Sequence, residues 1–233
     1  MFRSLFALAV VLPTLSLLTD VVHAEIVSGA TNDFQDASVQ GWQHGFPNSH
    51  APRIEVNAGP AGAGDHAMTF DSTGTFSLGS RFAAFNQSAV WTGDYIAAGV
   101  DTISFDVSNT GTTNLFLRIG VISGLDGYVT DSIQVAPGSG WQSLNFSVRP
   151  GDLTQINGAN DASSALSSVT RLEVLSALNV PTFGGNARGD LIEAIALFDN
   201  FNASSVSAVP EPSFVALLLA GGFIASCNRR RRI

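Results

Sequence analysis

Residues able to do covalent or metal chemistry are few in this sequence of 233 residues. It has neither a G-x-S-x-G nucleophile elbow nor an H-E-x-x-H zinc motif, and its single cysteine, Cys227, lies near the C-terminus. His44 and His50 flank Pro47 closely enough to share a metal, but solvated loop histidines are the commoner arrangement. The 17 carboxylates between residues 25 and 208 would supply many pairs for glycoside hydrolysis, so their number is uninformative. We therefore predict that the protein is not an enzyme.

Three aromatic residues between predicted strands are candidates for binding a ligand. Sugar rings stack their C–H faces on aromatic rings, and nearby polar groups fix the orientation. Trp91, Tyr95 and Tyr128 lie in predicted loops or strand ends and are the best candidates for such glycan-binding platforms. Trp42 and Trp141 each follow a glycine at a predicted strand start, where we expect core packing. Core packing is also the alternative for the first three, because 16 Phe against 2 Tyr place most aromatic mass inside.

Short segments with alternating apolar and polar residues are the elements that must position these side chains. In DTISFDVSN, Ile103, Phe105 and Val107 share one face, as in a half-buried strand. The same period occurs in three further segments: NLFLRIGVI, WQSLNFSV and TRLEVLS. Shorter candidate strands are RIEVN, AMTFDS, FSLGSRF, DSIQVAP and EAIALFDNF. Eight or nine strands without a long amphipathic helix predict an all-β fold, an antiparallel β-sandwich or barrel, with at most a helical turn or two in ASSALSSV.

The first 24 residues have the layout of a secretory signal peptide. Arg3 precedes an apolar stretch over residues 5–18, and Ala24 ends a segment with small residues at cleavage-type positions. Pro13 interrupts the apolar stretch, which is shorter than the ~20 residues of a membrane span, so a spanning helix is the weaker alternative. We expect a signal helix that is handled by the secretion translocon and removed by signal peptidase, with the mature chain beginning near Glu25.

The charge of the body argues against nucleic acid as a partner. Residues 25–208 contain 6 Arg and 17 acidic residues, a net charge of about −11. Such a surface repels phosphate backbones and anionic membranes, and it favours a neutral ligand or a cation. The body also contains no cysteine, so its stability must come from a core or a metal.

The C-terminal tail combines prolines, an apolar run and a basic cluster. Residues 214–227 are uncharged and mostly apolar, long enough for a short transmembrane helix in a thinned bilayer. The cluster of Arg229, Arg230, Arg231 and Arg232 would stop the chain in the membrane and stay on the cytoplasmic side. Prolines just before the apolar run favour a stiff, extended segment that a processing enzyme can grip.

This tail resembles the PEP-CTERM sorting signal of Gram-negative bacteria. The resemblance rests on the order of V-P-E-P-S, the apolar run and the terminal arginines, over residues 209–233; the motif residues are Val209, Pro210, Glu211, Pro212 and Ser213. It implies processing by an exosortase, a membrane-embedded transpeptidase-like enzyme of bacteria that make exopolysaccharide. It also implies a precursor anchored in the inner membrane, followed by delivery to the cell surface or extracellular matrix. A plain C-terminal anchor is the alternative.

The body, residues 25–203, resembles the jelly-roll, galactose-binding-like domains that include many carbohydrate-binding modules; residues 204–208 form a linker. The resemblance rests on D-F-Q-D-x4-G-W at residues 33–42, GSGWQSLNFSV at residues 138–148 and LFDNF at residues 197–201. Residues 91–107 also resemble a segment common in exported PEP-CTERM proteins. The resemblance implies a jelly-roll β-sandwich that binds extracellular polysaccharide.

The same resemblance implies a calcium ion that ties the acidic loop of the first strand to the aspartate of the last. The candidate ligands are Asp33, Asp36, Asp71 and Asp199. Calcium takes six to eight oxygen ligands, and a domain without disulfides gains stability when its ends are tied together. Gln35 departs from the pattern, because related modules usually carry Glu there. Turn and Asx-cap roles are the alternative for all four aspartates.

Together these features predict an exported, non-catalytic surface or matrix protein that binds a glycan. A purely structural matrix protein without a small ligand is the first alternative, and a polysaccharide hydrolase is the second. A binding module should expose aromatic residues on one face, whereas a hydrolase should place two carboxylates in a cleft.

Overall fold

The computed structural model describes residues 25–45, 50–181 and 188–205, which form two packed antiparallel β-sheets. The thirteen strands of these residues are numbered in chain order. The first sheet contains β1 (Thr31–Asn32), β3 (Arg53–Glu55), β4 (Ala67–Thr73), β6 (Thr102–Asn109), β10 (Trp141–Ser147) and β13 (Glu193–Ser204). The second contains β2 (Trp42–Gln43), β5 (Ala83–Asn86), β7 (Leu115–Ser123), β8 (Asp126–Val129), β9 (Ile133–Val135), β11 (Thr154–Asn157) and β12 (Arg171–Ser176).

Neighbouring strands in each sheet are mostly distant in the chain. The first sheet has the order β10-β6-β13-β4-β3, and β1 also pairs with β13. The second has the order β11-β8-β7-β12-β5-β2, and β9 also pairs with β7. One short helix, α1 (Ala162–Leu166), is capped by Asp161, whose side chain accepts a hydrogen bond from Ser164 N (2.8 Å). The predicted antiparallel all-β fold is confirmed.

The four clearest alternating segments form β6, β7, β10 and β12. FSLGSRF, in contrast, is a connection and not a strand, which corrects the prediction. Gly74 and Gly79 in this connection have φ angles of +66° and +76°, so the chain turns where a strand would need extended backbone.

Phenylalanines fill the space between the sheets. Phe70 of β4 stacks on Phe198 of β13 with ring centroids 5.0 Å apart, and Phe105 of β6 stacks on Phe146 of β10 at 5.4 Å. All four side chains are buried. This explains the excess of Phe over Tyr, because a Phe ring has no polar atom that would need a partner in the core.

The predicted signal helix and the predicted C-terminal transmembrane helix lie outside the described residues. Within the described ranges, no helix has the length and apolar character needed to cross a membrane.

Candidate functional site

The structure places two of the predicted glycan platforms in the core. Trp91 and Tyr95 are fully buried. Trp91 Nε1 donates to Asn32 Oδ1 (2.6 Å), and the Tyr95 hydroxyl donates to Trp91 O (3.0 Å). Burial also raises the pKa of Tyr95 above its ordinary value. Because the indole N–H and the hydroxyl both have hydrogen-bond partners inside the protein, burial of these rings leaves no polar group unsatisfied. Neither ring presents a face to a sugar.

Tyr128 is also buried, which corrects the third platform prediction. Its side chain points inward from β8, is 4% exposed, and donates its hydroxyl to Asn160 O. Trp42 is buried as expected. Trp141, predicted to be core, is half-buried: it lies at the start of an edge strand, opposite Ser108 on the outer side of the first sheet.

Asp36 and Asp71 have structural partners of their own. Asp36 Oδ1 accepts from both the backbone N and the hydroxyl of Ser38 (2.9 Å each), and these bonds lower its pKa. Asp71 accepts from Arg53 Nη1 (2.6 Å) and from His50 Nδ1. Burial alone would raise the pKa of Asp71, but these two partners outweigh it and lower the pKa. Asp36 therefore matches the alternative of a turn or Asx-cap role, whereas Asp71 lies on β4 and pairs with Arg53 and His50, which that alternative did not include.

Asp33 and Asp199 belong to a group that we call the acidic cluster: Asp33, Asp65, Asp106 and Asp199. Asp199 lies opposite Asp106 in the register of β13 and β6. Gln35 Nε2 donates to Asp65 Oδ1 (2.6 Å), and Gln35 N donates to Asp33 Oδ1 (3.2 Å). The residue that departs from the family pattern thus lies within the cluster, where its amide donates to a carboxylate.

Asp199 is the electrostatically unusual member of the cluster. It is fully buried, and its Oδ2 has no hydrogen-bond partner among the described residues. Burial raises its pKa to about 7, and the negative charges of Asp65, Asp106 and Asp33 add to this effect. Asn200 N donates to Asp199 Oδ1 (2.7 Å), which partly opposes the shift. Within the described ranges, no three His, Cys, Asp or Glu side chains are arranged to hold a metal ion together.

A cavity of about 400 Å³ opens on the outer face of the second sheet. We call it the arginine cavity, because Arg81, Arg171 and Arg188 all line it. Its floor is the pair of strands β5 and β12, in which Phe85 lies directly opposite Glu173. Leu172 and Val174 of β12 point into the core, so alternation places Arg171 and Glu173 on the outer face.

The floor of the cavity joins an aromatic ring to an ion pair. Arg171 Cζ lies 4.5 Å from the centroid of the half-buried Phe85 ring, and Arg171 Nη1 lies 3.2 Å from Glu173 Oε1. Glu173 is only 4% exposed. A guanidinium that stacks on a ring while it pairs with a carboxylate has little rotational freedom, so this floor is preorganised.

The rim is held by contacts between distant loops. Arg81 Nη1 donates to Gly189 O (2.7 Å), and His44 Nε2 lies 3.1 Å from Arg81 O. Gly189 packs so closely on Phe82 that a Cβ atom would overlap the Phe82 carbonyl oxygen. The connection between β4 and β5 contributes Leu78 (59% exposed) to the lining, and Phe76 (95% exposed) precedes the lining residue Ser77 in the chain.

A second cavity, of about 430 Å³, lies where β10 approaches the connection between β8 and β9. Asp131 and Asp152 both line it, so two carboxylates share one cleft. Asp152 Oδ2 accepts a hydrogen bond from Ser147 Oγ (2.5 Å). This is the feature that the hydrolase alternative requires.

Sequence reasoning missed the arginine cavity. Its residues come from four separate segments, and only the alternation in TRLEVLS indicated that Arg171 and Glu173 share a face. No local signal connects Arg81 or Arg188 with them. Phe76 was assigned to a predicted strand, although the flanking Gly74 and Gly79 mark a turn.

Comparison with known proteins finds similarity at the level of the fold. No protein-family model matches the chain, and no curated protein matches it. A family 11 carbohydrate-binding module from Clostridium thermocellum, solved with a β-1,3-1,4-mixed-linked tetrasaccharide, aligns with a TM-score of 0.50 and 15% identity over 78% of this chain and 98% of the module. An exo-β-agarase aligns with a TM-score of 0.53 and 13% identity over 76% of this chain but 25% of the enzyme. The fold of the described residues is therefore that of jelly-roll carbohydrate-binding modules.

Proposed function

We propose that this protein is an exported, non-catalytic polysaccharide-binding protein of the cell surface or extracellular matrix. The observation that carries the proposal is the arginine cavity on the outer face of the second sheet, which Phe85 lines and whose lining residue Ser77 directly follows the exposed Phe76. The resemblance of the fold to a carbohydrate-binding module supports it.

The cavity has the chemistry that sugar recognition needs. Its volume of about 400 Å³ lies within the ~300–1,000 Å³ of typical ligand sites. Leu78 provides exposed apolar surface for C–H faces, while Arg171, stacked on Phe85, contributes a hydrogen-bond donor. Phe76 replaces the buried Trp91, Tyr95 and Tyr128 as the exposed aromatic residue of the proposed site.

A glycan array probed with the full-length chain in detergent tests this function. We expect binding to at least one polysaccharide class, weakened at least fivefold by Phe76→Ala. Leu125→Ala is the matched control, because Leu125 is 76% exposed and does not line the arginine cavity. Absence of binding to every glycan would favour the purely structural alternative.

The hydrolase alternative rests on Asp131 and Asp152 in the second cavity. If the protein only binds, incubation with any polysaccharide that it retains should release no reducing ends. Release that Asp152→Asn abolishes would replace the binding proposal with a catalytic one.

Calcium is a further part of the proposal, located at the acidic cluster. The buried Oδ2 of Asp199 lacks a partner, and the surrounding donors are oxygen atoms of the kind that calcium prefers. Because no three acidic side chains of the described residues are arranged to hold an ion together, Asp199 would share it with one of Asp33, Asp65 and Asp106, and backbone carbonyls or water would complete the coordination. A bound cation would supply the positive charge that keeps Asp199 ionised, and it would tie β13 to the segment that follows β1.

Thermal unfolding of the full-length chain in calcium and in chelator tests this part. A ligand bound only by the native state at a hundredfold excess over Kd adds about 2.7 kcal/mol, which should raise Tm by several degrees. Asp199→Asn should abolish the rise. Asp71→Asn should keep it, because Asp71 is held by Arg53 and His50 instead. An identical Tm of the wild-type protein in both buffers would contradict the calcium proposal.

The C-terminal tail is proposed to direct the protein to the cell surface. Exosortase would act at Pro210, Glu211 and Pro212 while residues 214–227 hold the precursor in the inner membrane. These residues lie outside the described ranges, so this part of the proposal rests on the resemblance of the tail.

A further inference from the structure

Half of the arginines of this acidic body line one cavity. Residues 25–208 contain six arginines, and three of them, Arg81, Arg171 and Arg188, line the arginine cavity. Glu173 is the one acidic residue in the described lining. The neighbouring Asp190 is not part of the described lining, and its Oδ2 accepts from Leu178 N (2.8 Å). The cavity therefore carries two positive charges in excess, on a body whose net charge is about −11.

The excess does not depend on the segments beside the cavity. Residues 46–49 and 182–187 lie outside the described ranges, and their sequences contain no Asp, Glu, Lys or Arg. Three guanidinium groups that line one cavity repel one another, and Glu173 is the one carboxylate in the described lining that reduces this repulsion. A bound anion would reduce it further.

The guanidinium groups are placed to receive such an anion. Among the described residues, Arg81 donates only through Nη1, to Gly189 O, so Nε and Nη2 remain as donors. Arg188 is exposed at the rim. The planar fork of a guanidinium matches the two oxygens of a carboxylate or a sulfate. Arg118 shows the contrasting arrangement on the same sheet face: it is buried and donates to the carbonyl oxygens of Thr130, Ala177 and Leu178.

We propose that the arginine cavity selects an anionic polysaccharide, by binding its carboxylate or sulfate groups to Arg81, Arg171 and Arg188. This inference rests on the proposed polysaccharide-binding function and specifies its ligand class. It reverses the expectation from net charge, which favoured a neutral ligand, because short-range contacts in the cavity outweigh the screened repulsion of distant carboxylates.

The test measures the affinity of the full-length chain in detergent for three probes: polygalacturonate for carboxylate, dextran sulfate for sulfate, and mixed-linked β-glucan as the neutral glycan. We expect at least tenfold tighter binding to one or both anionic probes than to the β-glucan, and weaker binding at high salt. Comparison of the two anionic probes identifies the acidic group.

Two variants with the same change in net charge separate a local site from general attraction. Arg188→Gln should weaken binding to the preferred anionic probe at least fivefold. Arg149→Gln should change it less than twofold, because Arg149 pairs with Asp101 (3.0 Å) and does not line the cavity. Circular dichroism of both variants should match that of the wild type.

The other outcomes are distinguishable. Preference for the neutral glucan, or equal losses in the two variants, would overturn this inference and leave the polysaccharide-binding function intact. Failure to bind all three probes and every glycan of the array would overturn the proposed function as well.

Discussion

At the scale of single residues, two buried polar side chains have opposite surroundings. Asn32 Oδ1 accepts hydrogen bonds from both Trp42 Nε1 (3.0 Å) and Trp91 Nε1 (2.6 Å). Asp199 Oδ2 is also buried and has no donor among the described residues. The first arrangement stabilises the core, whereas the second is costly unless a proton or a cation is bound.

The raised pKa of Asp199 predicts an unusual pH dependence of stability. Between the ordinary pKa of about 4 and the folded value of about 7, the folded chain holds a proton that the unfolded chain has released. In chelator, this group should therefore lower the free energy of unfolding as pH rises from 4 to 7, by at most about 1.4 kcal/mol per pH unit. Asp199→Asn should remove that component from urea-unfolding curves measured across this range.

The control for this pH dependence is Asp36→Asn. The pKa of Asp36 is lowered in the folded state, so ionised Asp36 adds stability above pH 4. Its replacement should reduce stability near neutral pH, the opposite sign to Asp199→Asn. Parallel wild-type and Asp199→Asn curves would show that this carboxyl is not protonated in the folded chain.

The structure predicts mutational effects of different size for the two tryptophans outside β2. Trp91→Ala should destabilise the fold by about 3–5 kcal/mol, because it empties a large core site and removes a donor from Asn32. Trp141→Ala should cost much less, since the side chain is half-buried on an edge strand. Urea unfolding of the two variants measures the difference. A larger loss for Trp141→Ala would contradict the assignment of inner and outer faces.

At the scale of elements, the pairing of β5 with β12 builds the arginine cavity. Register places Phe85 against Glu173, and alternation keeps Leu172 and Val174 in the core. The rim depends on Gly189, which allows its segment to lie directly against Phe82. The packing of the inner face of the sheet thus determines the positions of the cavity residues on its outer face.

Gly189→Ala should disturb the rim. The added methyl group overlaps the Phe82 carbonyl oxygen, so the segment that carries Arg188 must move; we expect a loss of about 1–3 kcal/mol, together with weaker polysaccharide binding. Gly151→Ala is the matched control, because a Cβ there meets no atom within 4 Å. Denaturant unfolding should show a change below about 0.5 kcal/mol for this control. Equal stability of the two variants would contradict the close approach.

At the scale of the whole molecule, we expect the tail, and not the folded body, to determine location. Replacing Pro210, Glu211 and Pro212 with Ala removes the stiff recognition segment but leaves the apolar run and the arginines. The variant should accumulate as an unprocessed precursor in the inner membrane, detected by a C-terminal epitope tag. Replacing Ser205, Val206 and Ser207 with Ala should leave processing unchanged. Retention of the tag on the wild-type protein would contradict the sorting proposal.

The sequence by itself determined the class of fold. Alternation in DTISFDVSN, NLFLRIGVI, WQSLNFSV and TRLEVLS predicted β6, β7, β10 and β12, because apolar side chains on one face must be buried whatever lies opposite. It also placed Asp33 and Asp199 in one calcium hypothesis through the family resemblance. These predictions depend on local periodicity and motif order, which are properties of the chain alone.

Only the tertiary structure decided which polar and aromatic side chains lie at a surface. Trp91 is buried because Asn32, 59 residues away, accepts from its indole, and no local pattern encodes that partner. Arg81, Arg171 and Arg188 line one cavity because β12 pairs with β5 and the segment that contains Gly189 packs on Phe82. Composition gives only the net charge of the chain. The tertiary structure determines where the charged side chains lie, and the binding of a ligand depends on those positions.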